Sequence, residues 1–245
     1  MFLFIPKQLS TVFSLKKSYL PEILDGRDYS REELFRNLRE LYLVNRWLGG
    51  HAGSSRLLRA CLGTGFLPEK VLDIGCGGGD TLEMLEKIHS GDLPGVSWTG
   101  CDLHPGCLEY ARRFHPGKRI EYLLSDFREV QLSEKVLCHA ALFFHHFREE
   151  EIIGFIRHLQ EKGAALIIND LQRHPLAWLS IRIISALPFF GRLFRNDAPL
   201  SVKRGFSLDE WKEILRKSGV QNYRIRRAWA FRHHIFIPPT GHAAV

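Results

Sequence analysis

The sequence predicts an α/β fold: a doubly wound, mostly parallel sheet with helices on its faces. Two observations predict it. Between residues 71 and 169, short apolar runs alternate with helical stretches, the rhythm of strand–helix–strand units whose crossovers return the chain in parallel. The first of those runs, VLDIG at 71–75, leads straight into a glycine-rich turn and a helix, as a buried parallel strand at a ligand site does. The composition agrees. The chain has 245 residues, 45% hydrophobic and 25% charged, which excludes disorder, collagen and a coiled coil as the whole-chain answer.

The elements follow in order. Over 31–48, Leu34, Phe35, Leu38, Leu41, Tyr42, Leu43 and Leu48 recur at helical steps. Ser30 and Glu33 have the form of a capping box, and Gly49 and Gly50 end that helix. A second helix is expected over about 53–63. Strands are expected at 71–75, 96–102, 119–124, 136–143 and 164–169, with helices at 79–89, 105–114 and 149–161 between them. After 170 the rhythm breaks. An apolar segment, PLAWLSIRIISALPFFGRLF at 175–194, and a polar loop precede a helix at 207–218. Residues 222–237 read as two strands with a tight connection near Ala228–Ala230, placing one antiparallel strand at the end of the sheet. The domain organisation expected is an N-terminal helical cover over 1–60 and a main domain over 61–245, with a helical insertion at about 174–206. The 175–194 segment is as long as a bilayer span, but spanning would bury Arg182 at a cost of several kcal/mol. An amphipathic lid, with surface contact to a membrane as the alternative, fits it better.

The net charge is +7, and it is not spread evenly. Residues 171–245 hold 13 basic and 4 acidic side chains, while residues 1–170 hold 21 and 23. An excess confined to the last third fits a partner face or an anionic acceptor better than general affinity for polyanions. The stretch RIRRAWAFRHH at 224–234 mixes basic and apolar residues as an RNA-binding face would, but period-two alternation reads equally as a strand with one solvated face. Cys61, Cys76, Cys101, Cys107 and Cys138 form an odd set without a CxxC pair, so neither a disulfide framework nor a zinc site is expected. The opening MFLFIPKQL has no basic n-region and is interrupted by Pro6 and Lys7; no signal peptide is read there, and a cytoplasmic protein is expected.

Three nucleotide sites use a glycine loop like DIGCGGGD at 73–80. A dinucleotide site wants GxGxxG, but Asp80 stands three residues after Gly77, where a carboxylate would repel a pyrophosphate on the helix N-terminus. A phosphate-binding P-loop wants Gly-Lys-Ser/Thr, which is absent. The third site takes S-adenosyl-L-methionine, whose sulfonium and lack of phosphate make nearby acids favourable. VLDIGCGGGD at 71–80, TGCDLHPGCLEYAR at 99–112, LLSDF at 123–127 and LFFHHF at 142–147 occur in order at the expected intervals, and together they resemble the four motifs of the class I S-adenosylmethionine-dependent methyltransferases. The resemblance covers roughly residues 60–237 and implies a Rossmann-like sheet of seven strands. It implies that Asp73, Gly75 and Gly77 lie along the methionine and ribose, that Asp102 accepts from both ribose hydroxyls, and that Leu103 flanks the adenine. Asp126 would bond the adenine amino group, Phe127 would pack near the ring, and Phe144 and His145 would mark the active-site edge. An acid is usual in that family at the start of the fourth strand; here Leu137-Cys138-His139 stands instead. LVNRWLGG at 43–50, NDLQRHPLAW at 169–178 and RNDAPLSVKRGF at 195–206 resemble a bacterial subgroup acting on small molecules that are polyketide-, quinone- or lipid-like.

His145 and His146 are candidate bases, since histidine titrates near neutrality and can take a hydroxyl proton as a methyl group arrives. Neighbours on a strand end point different ways, so one of the two at most should face an acceptor; the alternative is that the pair packs the turn. No metal is expected, because adjacent histidines rarely converge on one ion without other ligands. Asn169, Asp170, Arg173 and His174 follow the fifth strand, at the carboxyl edge where open α/β sheets bind ligands. Asp170 is a candidate catalytic residue, and Asn169, Arg173 and Trp178 are candidate acceptor contacts; helix capping, a surface salt bridge and core packing are the plain alternatives. The expected function is methyl transfer to a small, apolar or aromatic acceptor, and the basic final third fits one that is acidic, carrier-bound or membrane-derived. RNA or protein methylation, and a cofactor-binding partner without turnover, stand as alternatives. A nicotinamide oxidoreductase is disfavoured by Asp80.

Overall fold

The computed structural model describes residues 15–26 and 28–240; the opening apolar stretch, read above as no signal peptide, lies outside them. Seven strands form one sheet: β1 (Lys70–Ile74), β2 (Ser97–Asp102), β3 (Ile120–Leu124), β4 (Val136–Ala141), β5 (Ala165–Leu171), β6 (Arg224–Ala228) and β7 (Arg232–Ile237). Their order is β3-β2-β1-β4-β5-β7-β6. The first five pair in parallel, and β7 enters antiparallel between β5 and β6. The order reverses between β1 and β4, and the carboxyl edge beside that switch point is where such sheets bind ligands.

The helices are α1 (Arg31–Trp47), α2 (Gly50–Leu62), α3 (Asp80–His89), α4 (Pro105–Phe114), α5 (Glu149–Glu161), α6 (Pro175–Ser185), α7 (Arg192–Arg204) and α8 (Leu208–Lys217). The Ser30–Glu33 capping box starts α1 as its sequence predicts. Alternation along the strands divides the core in two. Val71, Leu137 and Ile167 pack with Leu58, Leu82 and Leu108 of α2, α3 and α4, while Leu72, Cys138 and Ile168 pack with Phe155 and Trp211 of α5 and α8. The five cysteines are buried and free. Burial pushes the Cys61 and Cys101 thiols up to about 12, which leaves them without nucleophilic character near neutrality.

The region after β5 departs from its sequence reading. The apolar 175–194 segment breaks at Pro188, so α6 and α7 are two helices packed on each other, and no helix among the described residues is long and apolar enough to cross a membrane. The polar loop expected over 195–206 is helical through Arg204. Its spacing carries an internal face, Leu193, Phe194, Asp197 and Val202, which the charged residues between them mask in a linear reading.

The final hairpin forms from two antiparallel strands as expected, but only one of them is solvated. β6 is the sheet edge, with Arg224, Arg226 and Arg227 exposed, which matches the solvated-strand reading and protects the edge from further pairing. β7 has no solvated face. Arg232, His233 and His234 are buried because the strand lies inside the sheet, between β5 and β6 and under α2. Arg232 donates to Asn45 Oδ1 at 3.0 Å, and His233 Nε2 lies 3.1 Å from the carbonyl of Phe206.

Candidate active site

The glycine loop between β1 and α3 is built for close approach. Gly75 has φ +64°, and a Cβ there would lie 2.0 Å from the Phe143 ring. Gly77 has φ +51°, and its N–H donates to Asp102 Oδ2 at 2.9 Å, tying the loop to the end of β2. The other Asp102 oxygen accepts from His104 N–H at 2.8 Å. Burial pushes the Asp102 carboxyl up, and these two N–H groups oppose it. Two bonded backbone donors leave further lone pairs on the carboxylate, as acceptance from a diol requires.

Asp73 sits one strand away, buried, with Oδ1 2.6 Å from His139 Nδ1; His139 Nε2 lies 2.9 Å from Ser54 Oγ. Asp73 and His139 are register partners on β1 and β4. The histidine found where an acid is usual on the fourth strand therefore serves as the partner of Asp73, linking β1 and β4 to α2.

A cavity of about 1120 Å³ opens from this loop. Asp73, Gly75, Gly77, Asp102, Leu103 and Phe127 all line it, as the motifs imply. Two expected cofactor contacts do not. Asp126 turns away: its carboxylate accepts from Arg128 Nη2 at 2.5 Å and from Arg128 Nε at 2.9 Å, and its neighbour Ser125 lines the cavity instead. Phe144 is wholly buried against Phe155 and Trp211, and Phe143 takes the wall position. The cause is local. β4 stops at Ala141, Leu142 adopts φ +52°, and a single 3-10 turn at Phe144–His146 rotates the following side chains by one place.

The same turn overturns the expectation that His145 and His146 diverge. Their rings lie side by side, with centroids 4.3 Å apart, and both line the cavity. Asp170 accepts from the backbone N–H of His145 at 3.0 Å and lies 2.8 Å from its Nδ1. Burial pushes the Asp170 carboxyl up, but the charge and hydrogen bond of His145 outweigh it and hold it below its usual range. Asp170 does not reach the cavity, so it positions His145 rather than meeting an acceptor, contrary to the catalytic expectation. The side chain of His145 is 3% exposed and that of His146 25%, so His146 is the one an acceptor can reach. His146 Nδ1 lies 3.3 Å from Asp25 Oδ1.

The three expected acceptor contacts are placed elsewhere. Asn169 is buried in the sheet and donates to the Gly50 carbonyl at 2.7 Å and to Ser54 Oγ at 3.0 Å. Arg173 faces away from the cavity, donating to the carbonyls of Leu15 and Gly205 and to Glu210 Oε1. Trp178 does not line the cavity: it packs against the α6–α7 cluster with Arg182 and Lys203 over its ring, while Ala177, Ile181 and Ile184 turn to the cavity.

Sequence reasoning missed the strap at residues 15–26, which has no periodicity to mark it. It crosses the histidine end of the cavity, clipped by α7: Asp197 accepts from Ile23 and Leu24 N–H at 2.9 and 3.1 Å, and Ser201 donates to Glu22 Oε1 at 2.7 Å. Glu22 and Asp25 thereby join the histidines. Burial pushes Glu22 up, whereas hydrogen bonds from His146 and Arg204 overcome burial at Asp25 and hold it far below its usual range. Glu22, His145 and His146 each place one potential ligand atom within 4.8 Å of the others, so the histidines do have a third group beside them. Arg204 already supplies a cation there: it lies 2.6 Å from Asp25 Oδ2 and 3.8 Å from Glu22 Oε1, and it donates to the carbonyls of His145 and His146. A further divalent ion would be repelled by it.

Residues 71–163 match a family described as "Methyltransferase domain". A comparison with curated proteins finds no match. Among solved structures, the plantazolicin methyltransferase BpumL in complex with SAH superposes with a TM-score of 0.62 at 16% identity, over 84% of this chain and 92% of its own. A SAM-dependent methyltransferase from Aquifex aeolicus gives 0.56 at 18% identity, over 85% and 98%. Human N-acetylserotonin methyltransferase in complex with SAM gives 0.61 at 16% identity, over 94% and 65%. The glycine loop, Asp102 and Phe127 thus converge on one cavity within the segment, residues 71–163, that matches the methyltransferase-domain family, and the chain has the fold of these solved methyltransferases.

Proposed function

We propose that the enzyme methylates a small, largely apolar acceptor that loses a proton as it reacts. One observation supports this above the others. The cavity that starts at Asp102 continues to the carboxylate-paired histidines between walls of Leu41, Val44, Ile181, Ile184, Phe194 and Val202. A cavity of about 1120 Å³ exceeds what one drug-sized ligand usually fills, so a cofactor and an acceptor fit together. The cofactor end suits S-adenosylmethionine. Asp73, Asp80 and Asp102 surround the glycine loop and no lysine lines the cavity among the described residues, a balance that favours a sulfonium and repels a phosphate.

When bound, the cofactor supplies a methyl group already activated on a cationic sulfur. The residues then have three tasks. Asp102 accepts from the ribose hydroxyls while holding Gly77 in place. The apolar walls orient the acceptor and exclude water, which supplies much of the rate in such transfers. His146, oriented by Asp25, takes the acceptor's proton; His145, fixed by Asp170, holds the turn that presents it.

The apolar lining favours a polyketide-, quinone- or lipid-like acceptor over RNA, whose phosphates need several cations, whereas the two arginines on the lining are engaged, Arg31 with Glu109 and Arg232 with Asn45. The test is turnover. Release of S-adenosylhomocysteine should occur with lipophilic phenols and not with total RNA. His146→Gln should lower kcat by about 100-fold or more with KM little changed, because only proton transfer is removed. Full activity in His146→Gln, or turnover confined to RNA, would refute the reading. Tight cofactor binding without turnover on any acceptor would favour a regulatory partner instead.

A further inference from the structure

The two faces of α6 differ in a way that the cavity does not explain. Ala177, Ile181 and Ile184 form its inner face, on the cavity. Its outer face is apolar as well: Leu176, Leu179, Ile183 and Leu187 recur at steps of three and four, and Phe189 extends the stripe. These side chains are in water. Leu176 is 58% exposed, Ile183 61% and Phe189 63%. Single exposed apolar residues need no account, but a stripe along a whole helix marks a surface that meets a partner.

The charge around the stripe selects the partner. Residues 171–206 contain one carboxylate, Asp197, which is buried and committed to the strap. Arg182 and Arg195 are exposed beside the stripe, and neither pairs with a carboxylate. A second copy docking by the same face would set these cations against their own kind. The chain's first 14 residues hold Lys7 and no acid, so they offer no complement either. An anionic lipid surface matches both the apolar stripe and the bare cations.

We propose that the outer face of α6, with Leu176, Leu179, Ile183, Leu187 and Phe189, docks on an anionic bilayer surface, and that the inner face thereby sets the cavity at the interface. Resting on the acceptor reading above, this names the acceptor's source as the membrane. The helix has 11 residues, about 16 Å at 1.5 Å per residue, and lies in the plane of the headgroups rather than crossing them.

The test is sedimentation of the full chain with vesicles of phosphatidylcholine alone or mixed with phosphatidylglycerol. The wild type should bind the mixed vesicles, less at high salt, and the neutral ones weakly. Leu179→Ser with Ile183→Ser should lower the partition coefficient by about tenfold or more, since the stripe loses its centre. Arg182→Glu with Arg195→Glu should do so by a similar factor, from roughly fivefold for each cation removed. Both variants should keep the wild-type affinity for S-adenosylmethionine by calorimetry, which certifies the fold. Equal binding of the wild type to both vesicles, or unchanged binding of the variants, overturns the proposal. So does a wild-type dimer that the serine variant dissolves, which assigns the stripe to a second copy. Vesicle binding that appears only after residues 1–14 are removed also overturns it, assigning the stripe to that segment. A chain that binds vesicles but methylates no lipophilic acceptor upholds the docking and refutes the acceptor reading.

Discussion

His139→Ala tests how much of the cofactor end rests on one buried contact. The imidazole is wholly buried and bridges Asp73 on β1 at 2.6 Å to Ser54 on α2 at 2.9 Å. Removing it leaves the Asp73 carboxyl without that partner, and a hydrogen bond to a charged group is worth about 1.5–3 kcal/mol. Ser54 keeps the bond that Asn169 donates, so its loss is smaller, about 1 kcal/mol. The space left by the ring adds roughly 1 kcal/mol, less where water enters it. The sum is about 4 kcal/mol, a large fraction of the 5–15 kcal/mol that holds a typical domain.

Urea unfolding followed by circular dichroism at neutral pH should therefore show a marked fall in midpoint with little change in slope. Asp73 also lines the cavity, so freeing its side chain should weaken S-adenosylmethionine binding by about tenfold. His139→Gln, which can still donate to Asp73, should recover part of both losses. A fall below about 1 kcal/mol with unchanged cofactor affinity would refute the view that this histidine replaces the usual acid.

Three more outcomes follow from named contacts. Asp102→Ala should weaken S-adenosylmethionine binding by about 100-fold or more, from two lost hydroxyl bonds to a carboxylate; unchanged calorimetric affinity would remove Asp102 from the ribose site. Gly75→Ala should destabilise the fold by about 2 kcal/mol or more, through its positive φ and the Phe143 ring, and Phe143→Ala should relieve part of that in a double-mutant cycle; simple additivity would contradict the contact. Burial, with Arg226 and other nearby cations, pushes His234 down to about 4 from an ordinary value near 6.5. The folded chain then binds this proton later than the unfolded chain as pH falls, so its contribution is full above about 6.5 and is lost toward 4, about 3 kcal/mol in all. Urea midpoints should drop over that window, and His234→Gln should flatten the drop; an equally steep profile in the variant would assign the loss to other groups.

The parts of the site that the sequence announced are those whose signals are local. A strand, a glycine turn and a helix within 71–89 announce the loop, and an acid at a strand end announces Asp102. The misplaced residues depend on contacts that spacing does not encode. Asp126 is taken by Arg128 two residues on, which looks like an ordinary surface charge in the sequence. Phe144 and Phe143 exchange roles because Leu142 adopts a positive φ. Arg173 and Asn169 stand at the correct sheet edge, but their partners, Glu210 and Ser54, come from distant segments that only the fold brings near. The three polar residues opening β7 read as solvated because nothing local shows that β6 covers the strand's far side.

The concentration of positive charge in the last third now divides into separate jobs. Arg232 is buried among Asn45 and Asn169, Arg224, Arg226 and Arg227 guard the sheet edge, and Arg204 neutralises the acids beside the histidines. Arg182 and Arg195 are exposed, pair with no carboxylate among the described residues, and flank the outer face of α6. The strap makes that location consequential. Asp197, Ser201 and Arg204 lie on one face of α7 and hold Ile23, Leu24, Glu22 and Asp25. α7 packs on α6, so the cavity wall and the segment that brings Asp25 to His146 rest on one helical pair. If His146 takes the acceptor's proton as proposed, a variant that loosens α7 should change KM and kcat together rather than either alone.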